Sequence, residues 1–307
     1  MPMVSILVLS KNNGRTIGRT LLSILKSKLP PHYLREIIVI DAHSNDNTPD
    51  ILRLFSKHIR VVYDEGKGIG IARNLGVLSA KGDIICFVDA DCVVGEDHFV
   101  KIIQAIEGGA DIVDVRGGLG FSETLFEKLE NIVWMIGRAY SEELIRDRCF
   151  AGGAFISFRR EVFNEVGGFW TYPPYGGDDI DFSYRAYRRG FKIKTVYVSR
   201  TCSRHRRGPK ELIKQQIGWG KGYSHIIAKY RNDTMFWRCY RWNNLVYRFL
   251  DNMIFLYPIV AALMAPIRGL ILAIRTGILH LLPYWIIRRW AFLLGMLSEL
   301  RNALARY

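Results

Sequence analysis

Hydrophobic positions in the first 200 residues fall into short runs separated by polar turns. The run VSILVL at 4–9 reads as a buried strand. After the turn KNNG at 11–14, Ile17, Leu21, Leu22, Ile24 and Leu25 recur at helical spacing over 15–27, until Pro30 and Pro31 stop the pattern. Residues 36–40 predict a second strand and 46–57 a helix entered through Ser44, Asn45 and Asp46 as capping residues. A short strand at 60–63, a helix at 70–80 and a long apolar strand at 83–88 follow. Such alternation predicts an α/β fold: a Rossmann-like, mainly parallel sheet flanked by helices, with right-handed crossovers. In open sheets of this kind ligands bind beyond the carboxyl ends of the strands, where Asp41 and Asp89 stand.

Beyond residue 95 the pattern is mixed. It predicts helices at 99–106, 124–140, 162–166, 180–189 and 211–230, and strands at 112–115, 155–159 and 192–198. From 245 onward the chain turns apolar: 253–267 is almost wholly so, and 269–274, 278–287 and 290–297 continue it. Arg268, Arg275, Arg288 and Arg289 interrupt these runs, and Pro258, Pro266 and Pro283 would kink or break their helices. A clean spanning helix needs about 20 apolar residues, and no such run is present. Three arrangements remain open: helices with snorkelling arginines, an interfacial hairpin, or an all-helical packing domain. Tyr284, Trp285 and Trp290 beside arginines favour a membrane interface. The expected organisation is a catalytic domain over 1–230 and a helical, membrane-associated appendage over 231–307. The first run, which follows no basic stretch, reads as a strand and not as a signal peptide.

Composition narrows the partners. The 307-residue chain is 49% hydrophobic with a net charge of +14, so it seeks anions: nucleic acid, lipid headgroups or phosphorylated small molecules. Lys and Arg outnumber acids in 200–241. Five cysteines, an odd number without CxxC spacing, point to reduced thiols in a cytosol-facing chain.

Several segments carry candidate chemistry. Asp89 and Asp91 in the DAD that ends an apolar strand point the same way; they can hold a divalent cation that grips a diphosphate, or cap the next turn. Asp41, in IDAHSND at 40–46, can accept hydrogen bonds from a base or ribose, or cap a helix. Arg73, near a helix N-terminus, can grip phosphate, stack on a base, or lie on the surface. In GGDDIDF at 176–182, Asp178, Asp179 and Asp181 crowd a helix start; the helix dipole accounts for part of this, and mutual repulsion suits a general base. Trp170 and Tyr172, in FWTYPPY at 169–175, read as a sugar platform or as a loop packed on its own domain. His205, in CSRHRR at 202–207, is either a third metal ligand or structural.

The order VSILVLSKN, IIVIDAHSNDNT, GIGIARNLGVLSAKGDIICFVDADC, AGGAFISFRREVFNEVGGF and GGDDIDFSYRAYRRG resembles the family 2 glycosyltransferases with the glycosyltransferase A-type fold, over about residues 4–205. The resemblance implies donor contacts from Asp41, Arg73, Asp89, Gly152 and Gly153. It implies metal ligation by Asp91 and His205, Asp179 as general base beside Asp178, and acceptor contacts from Trp170, Tyr172 and Trp219. Four positions depart from the family pattern. Ala42-His43 replaces the more usual Asp-Gly, Asp178 stands where Glu is usual, and QQIGW at 215–219 carries Gly218 in place of the arginine of processive members.

The expected activity is therefore inverting, non-processive transfer from a nucleoside-diphosphate sugar, with uridine favoured. It would use Mg²⁺ or Mn²⁺ and a hydroxyl or lipid-carrier acceptor, at the cytoplasmic side of a membrane and without nucleic acid. A nucleotidyltransferase would need a glycine-rich triphosphate loop after the first strand, which SKNNGRT does not supply. An oxidoreductase would need GxGxxG there. A basic, non-catalytic binding module would leave the strand-end acids without purpose.

Overall fold

A computed structural model describes residues 1–118, 120, 122–142, 149–172, 175–198, 200–241 and 257–307. The start of the apolar run at 253–256 and Pro173 and Pro174 of the aromatic loop lie outside the described residues. Two compact units are present: Met1–Leu119, Asp147–Pro174 and Asp178–Arg204 form the first; Gly120–Arg146, Tyr175–Gly177 and His205–Tyr307 form the second. The cut expected at 230/231 falls inside the second unit.

The first unit alternates β1 (Met3–Ser10), α1 (Ile17–Lys26), β2 (Leu34–Asp41), α2 (Thr48–Leu54), β3 (Arg60–Tyr63), α3 (Ile69–Ser79) and β4 (Ile84–Asp89). It continues with β5 (Cys92–Val93), α4 (His98–Glu107) and β6 (Ile112–Gly117). In the second unit α5 spans Leu125–Glu142. The first unit then resumes with β7 (Ile156–Arg159), α6 (Arg160–Val166), α7 (Asp178–Arg188), β8 (Ile193–Val198) and β9 (Cys202–Ser203). The main sheet has seven strands in the order β3-β2-β1-β4-β7-β6-β8. All its pairings are parallel except those of β7, which runs against β4 and β6.

Strand alternation divides the core between the two faces of the sheet. Val4, Ile6 and Val8 meet Leu21 and Ile24 of α1 and Phe99, Ile102 and Ile106 of α4 on one face. Leu7, Ile40 and Phe87 meet Val77 of α3, Val162 of α6 and Phe182 of α7 on the other. Both faces are covered, as a continuous apolar strand demands. Helix α2 is shorter than the expected 46–57. Asp46 accepts hydrogen bonds from the Thr48 N–H (2.9 Å) and hydroxyl (2.5 Å), which starts the helix two residues later.

The remaining helices of the second unit are α8 (Pro209–Tyr230), α9 (Thr234–Arg241), α10 (Tyr257–Leu263), α11 (Ala265–Thr276) and α12 (Leu281–Arg306). Leu129 and Val133 of α5, Leu212 of α8, Ala273 of α11 and Leu281 and Tyr284 of α12 form its core. Helices α8 and α12 approach at glycines: a Cβ on Gly220 would stand 2.1 Å from the Phe292 carbonyl oxygen, and one on Gly295 2.2 Å from that of Ile217. Among the described residues no helix is long and apolar enough to cross a membrane. The expectation of five reduced thiols is corrected: Cys86, Cys92 and Cys202 are free and buried, while Cys149 and Cys239 are disulfide-bonded.

Candidate active site

The site grows from the carboxyl ends of β2 and β4. Register places Asp41 beside Ser10 and Asp89 beside Leu9 of the intervening β1. The two acids are thus two strands apart, on the order of 10 Å. Asp41 is fully buried, and its carboxylate accepts the Ser44 N–H (2.9 Å) and hydroxyl (2.6 Å). Of the two readings of Asp41, turn capping is the one its hydrogen bonds express.

Asp89 and Asp91 flank the sharp end of β4 and are both partly exposed. The two-residue strands β5 and β9 pair immediately after it, and the Arg204 N–H donates to the Asp91 carbonyl (2.9 Å). Burial pushes Asp89 up to about 6, with Asp91, Asp179 and Asp178 adding like charge and Arg73 opposing. Asp89, Asp91, Asp178, Asp179 and Arg73 therefore share one electrostatic neighbourhood in the first unit.

Arg73 is 2% exposed. Its guanidinium pairs with Asp178 and lies 5.6 Å from the centre of the Phe87 ring and 5.4 Å from that of Phe169. Expected at the nucleotide, it is placed inside the protein as the partner of a carboxylate. Asp178, expected to share the catalytic role, is likewise buried. Burial raises it to about 6, which Arg73 opposes.

The three acids of α7 thus have three fates. Asp178 pairs with Arg73, while Asp181 is fully buried against Arg185 (2.7 Å), which also donates to the Val166 and Gly168 carbonyls (both 2.6 Å). Asp179 remains partly exposed; its Oδ2 accepts the Gly153 N–H (2.8 Å) and its Oδ1 the Ile180 N–H (2.9 Å). Two of the three charges are answered by arginines, which the picture of mutual repulsion missed.

Gly152 and Gly153, expected at the donor, hold acids of the protein. Gly152 N–H donates to Asp114 (3.0 Å), and Gly153 has no room for a side chain, because a Cβ would fall 2.2 Å from Arg73 Nη2 and 3.0 Å from Asp179 Oδ2. Trp170 and Tyr172 are partly exposed in the first unit. Asn74, not among the residues expected at the site, fixes the start of their loop: its amide donates to the Phe169 carbonyl (2.9 Å) and accepts the Phe169 N–H (2.7 Å). The signal was its position directly after Arg73.

Trp219 and His205 belong to the second unit. Trp219 is exposed beneath the Arg288 guanidinium (5.9 Å). His205 Nε2 meets Asn131 Oδ1 (2.9 Å), and its ring stacks on Trp134 at 6.4 Å. Nearby, Glu130 of α5 pairs with Arg288 and accepts the Tyr284 hydroxyl. Glu130, Asn131 and Trp134 had no sequence signal beyond helical spacing.

The donor set at the end of β4 fits a hard divalent cation, which takes oxygen ligands. No group of three His, Cys, Asp or Glu side chains converges among the described residues. Mg²⁺ in nucleotide enzymes is held by one or two carboxylates, with substrate phosphates completing its shell. Asp91, with Asp89 beside it, is the residue that would hold the ion.

Comparison with known proteins agrees with this geometry. The chain is 28% identical to glycosyltransferase AglE of Haloferax volcanii over 74% of each chain. It is 25% identical to the probable glycosyltransferase YdaM of Bacillus subtilis, over 75% of this chain and 57% of that one. A poly-beta-1,6-N-acetyl-D-glucosamine synthase of Staphylococcus aureus is 25% identical, over 76% of this chain and 57% of that one. Among solved structures, the mannosyltransferase PcManGT from Pyrobaculum calidifontis, in complex with GDP-Man and Mn2+, superposes with a TM-score of 0.67 at 18% identity. That match covers 98% of this chain and 88% of the other. S. aureus TarS 1-349 gives 0.50 at 17%, over 97% and 91%. The family model for glycosyl transferase family 2 matches residues 5–167, more than half of the chain, including most of β1, all of β2 to β4 and the acids that end β2 and β4. A mainly parallel sheet with its acids gathered at the strand ends, and a family match over that same stretch, make this chain an enzyme of glycosyl transferase family 2.

Proposed function

We propose that the chain transfers one sugar per binding event from a nucleoside-diphosphate sugar to a hydroxyl of a sugar or lipid-linked acceptor at a membrane surface, with inversion. The observation that carries this reading is the contrast within α7. Asp178 and Asp181 are paired with arginines, while Asp179 is partly exposed and oriented by the Gly153 N–H at 2.8 Å. A carboxylate so held can take the proton of an acceptor hydroxyl as that oxygen attacks the anomeric carbon. One base and one displacement invert the configuration. Arg73 holds Asp178 and offsets part of the negative charge around Asp89. When bound at Asp91, Mg²⁺ or Mn²⁺ supplies charge neutralisation for the departing diphosphate. The aromatic side chains of Trp170 and Tyr172 are assigned to the acceptor. Gly218 in QQIGW, where processive members carry arginine, supports single additions.

The test is a screen of UDP- and GDP-sugars with and without EDTA, reading nucleoside diphosphate release, on wild type and Asp179→Asn. The variant is expected to lose transfer by about 10²–10⁴-fold while binding donor as wild type does. Loss of donor binding with unimpaired turnover of what is bound would take the base role from Asp179.

A further inference from the structure

Helix α11 inverts the usual arrangement of an amphipathic helix. Its inward face carries the small residues Ala265, Gly269 and Ala273, all buried. A Cβ on Gly269 would stand 3.1 Å from Leu282 Cα, so the helix lies close against the start of α12. Its outward face carries Ile267, Leu270, Ile271 and Ile274, each between 44% and 71% exposed. Leu263 and Met264 just before it and Leu279 just after it are exposed as well.

At about 100° per residue, positions 263, 264, 267, 270, 271 and 274 fall within an arc of about 120°. Arg268 and Arg275, seven residues apart, run along one edge of that arc, the first half-buried and the second exposed. From residue 257 to 298 the chain has four arginines and no Asp or Glu.

A helix whose role is to hold a fold in water turns its large apolar residues inward. Here they contribute little to the packing of the second unit. Single exposed leucines are ordinary, but a contiguous stripe marks a contact surface. Charge selects the partner. A second copy docked through the same stripe under two-fold symmetry would set Arg268 and Arg275 against their own equivalents. An anionic bilayer offers acyl chains to the stripe and phosphates to its cationic edge, within reach of snorkelling arginines.

We infer that α11 lies in the interfacial plane of an anionic membrane, with Ile267, Leu270, Ile271 and Ile274 at the acyl boundary and Arg268 and Arg275 among the headgroup phosphates. The inference rests only on the membrane part of the proposed function, for which it names the surface and the lipid charge.

Co-sedimentation of the full chain with vesicles tests it, using phosphatidylcholine alone or mixed with phosphatidylglycerol. Wild type is expected on the mixed vesicles and not on the neutral ones. Arg268→Gln and Arg275→Gln should each weaken that binding roughly fivefold. The double variant Ile271→Ser/Ile274→Ser should weaken it more than tenfold, with an unchanged melting temperature because both side chains face water. Equal recovery on both vesicle types, no effect of the serine substitutions, or a dimer in ultracentrifugation that those substitutions dissolve would each overturn the inference. Turnover with a water-soluble acceptor, measured on wild type beside its vesicle binding, separates the two claims. Turnover without vesicle binding removes the docking surface and leaves the transfer reaction. Vesicle binding without turnover does the opposite.

Discussion

The two units differ in where they leave large apolar side chains exposed. In the first, Phe87, Phe99, Phe158 and Phe182 are fully buried, and Phe158 and Phe169 pack on Phe182 at 5.0 and 4.2 Å between ring centres. In the second, helices meet at glycines and alanines, and α11 turns its isoleucines and a leucine outward. Both units bury large side chains, Phe236, Ile226 and Tyr284 among those of the second, but the second also brings helices together at glycines and carries an outward apolar stripe. The difference explains how one chain can keep a rigid set of carboxylates and still present an apolar surface.

The comparison breaks first on volume. Phe158→Ala is expected to destabilise the protein by about 3–5 kcal/mol in urea unfolding, whereas Ile271→Ala should stay within about 0.5 kcal/mol. Similar costs for both would mean that α11 is packed as tightly as the sheet. It sharpens next on backbone approach. Gly220→Ala should cost about 1–3 kcal/mol, because the added methyl meets the Phe292 carbonyl and not a movable side chain. Gly218→Ala, two residues earlier with open space around it, should gain up to about 1 kcal/mol. Equal effects at the two positions would deny that the α8–α12 contact depends on small residues.

Buried histidines extend the contrast to pH. His98 in the first unit is fully buried, with its Nδ1 at Thr201 Oγ1 (2.9 Å), and burial pulls its pKa down to about 3. Between the ordinary value of 6.5 and that value, the unfolded chain binds a proton that the folded chain refuses. The stability contribution is therefore complete above pH 6.5 and falls on acidification by roughly 1.4 kcal/mol per pH unit. His225 in the second unit is also lowered by burial, but Glu299 at 3.2 Å pulls the other way. Urea midpoints at pH 7 and pH 5 should converge more in His98→Asn than in His225→Asn. The reverse order would show that the second unit holds the tighter interior.

What the sequence disclosed follows the same division. Strands β1, β2 and β4, and the acids that end the last two, were legible because an apolar run of this length is a local signal, and α5 and β8 fell within two residues of expectation. The pairing of β5 with β9 was not, since two-residue strands carry no periodicity. Nor was the role of Arg73, whose partner Asp178 lies 105 residues away. Three acids in four residues look mutually repulsive until the arginines that answer them are in place. In the second unit, helical spacing gave α5 and α8 but not α9, and showed α10 to α12 only as apolar runs. The apolar stretch after 257 concealed which face of α11 turns inward, because small residues inside and large ones outside read as one continuous run.

The smallest expected effect concerns a strand end of the first unit. His43 sits in the left-handed region at φ 49°, at the position where the family usually has glycine. A non-glycine residue there costs roughly 1–2 kcal/mol. Against that, its exposed ring stacks on Tyr63 of β3 at 5.2 Å and 16°, an interaction of about 0.5–1.5 kcal/mol, and glycine adds its own entropic cost of roughly 0.5–1 kcal/mol. These terms nearly cancel, so His43→Gly should shift stability by less than about 1 kcal/mol. Stability therefore does not account for the histidine, and its location at the carboxyl edge of the sheet, where ligands of such folds bind, directs attention to the donor. A variant with a raised KM for donor and an unchanged kcat would show that the stacked pair contributes uniform binding. A more stable variant with an unchanged KM would show that the first unit, for all its tight packing, tolerates a strained residue at its rim without using it.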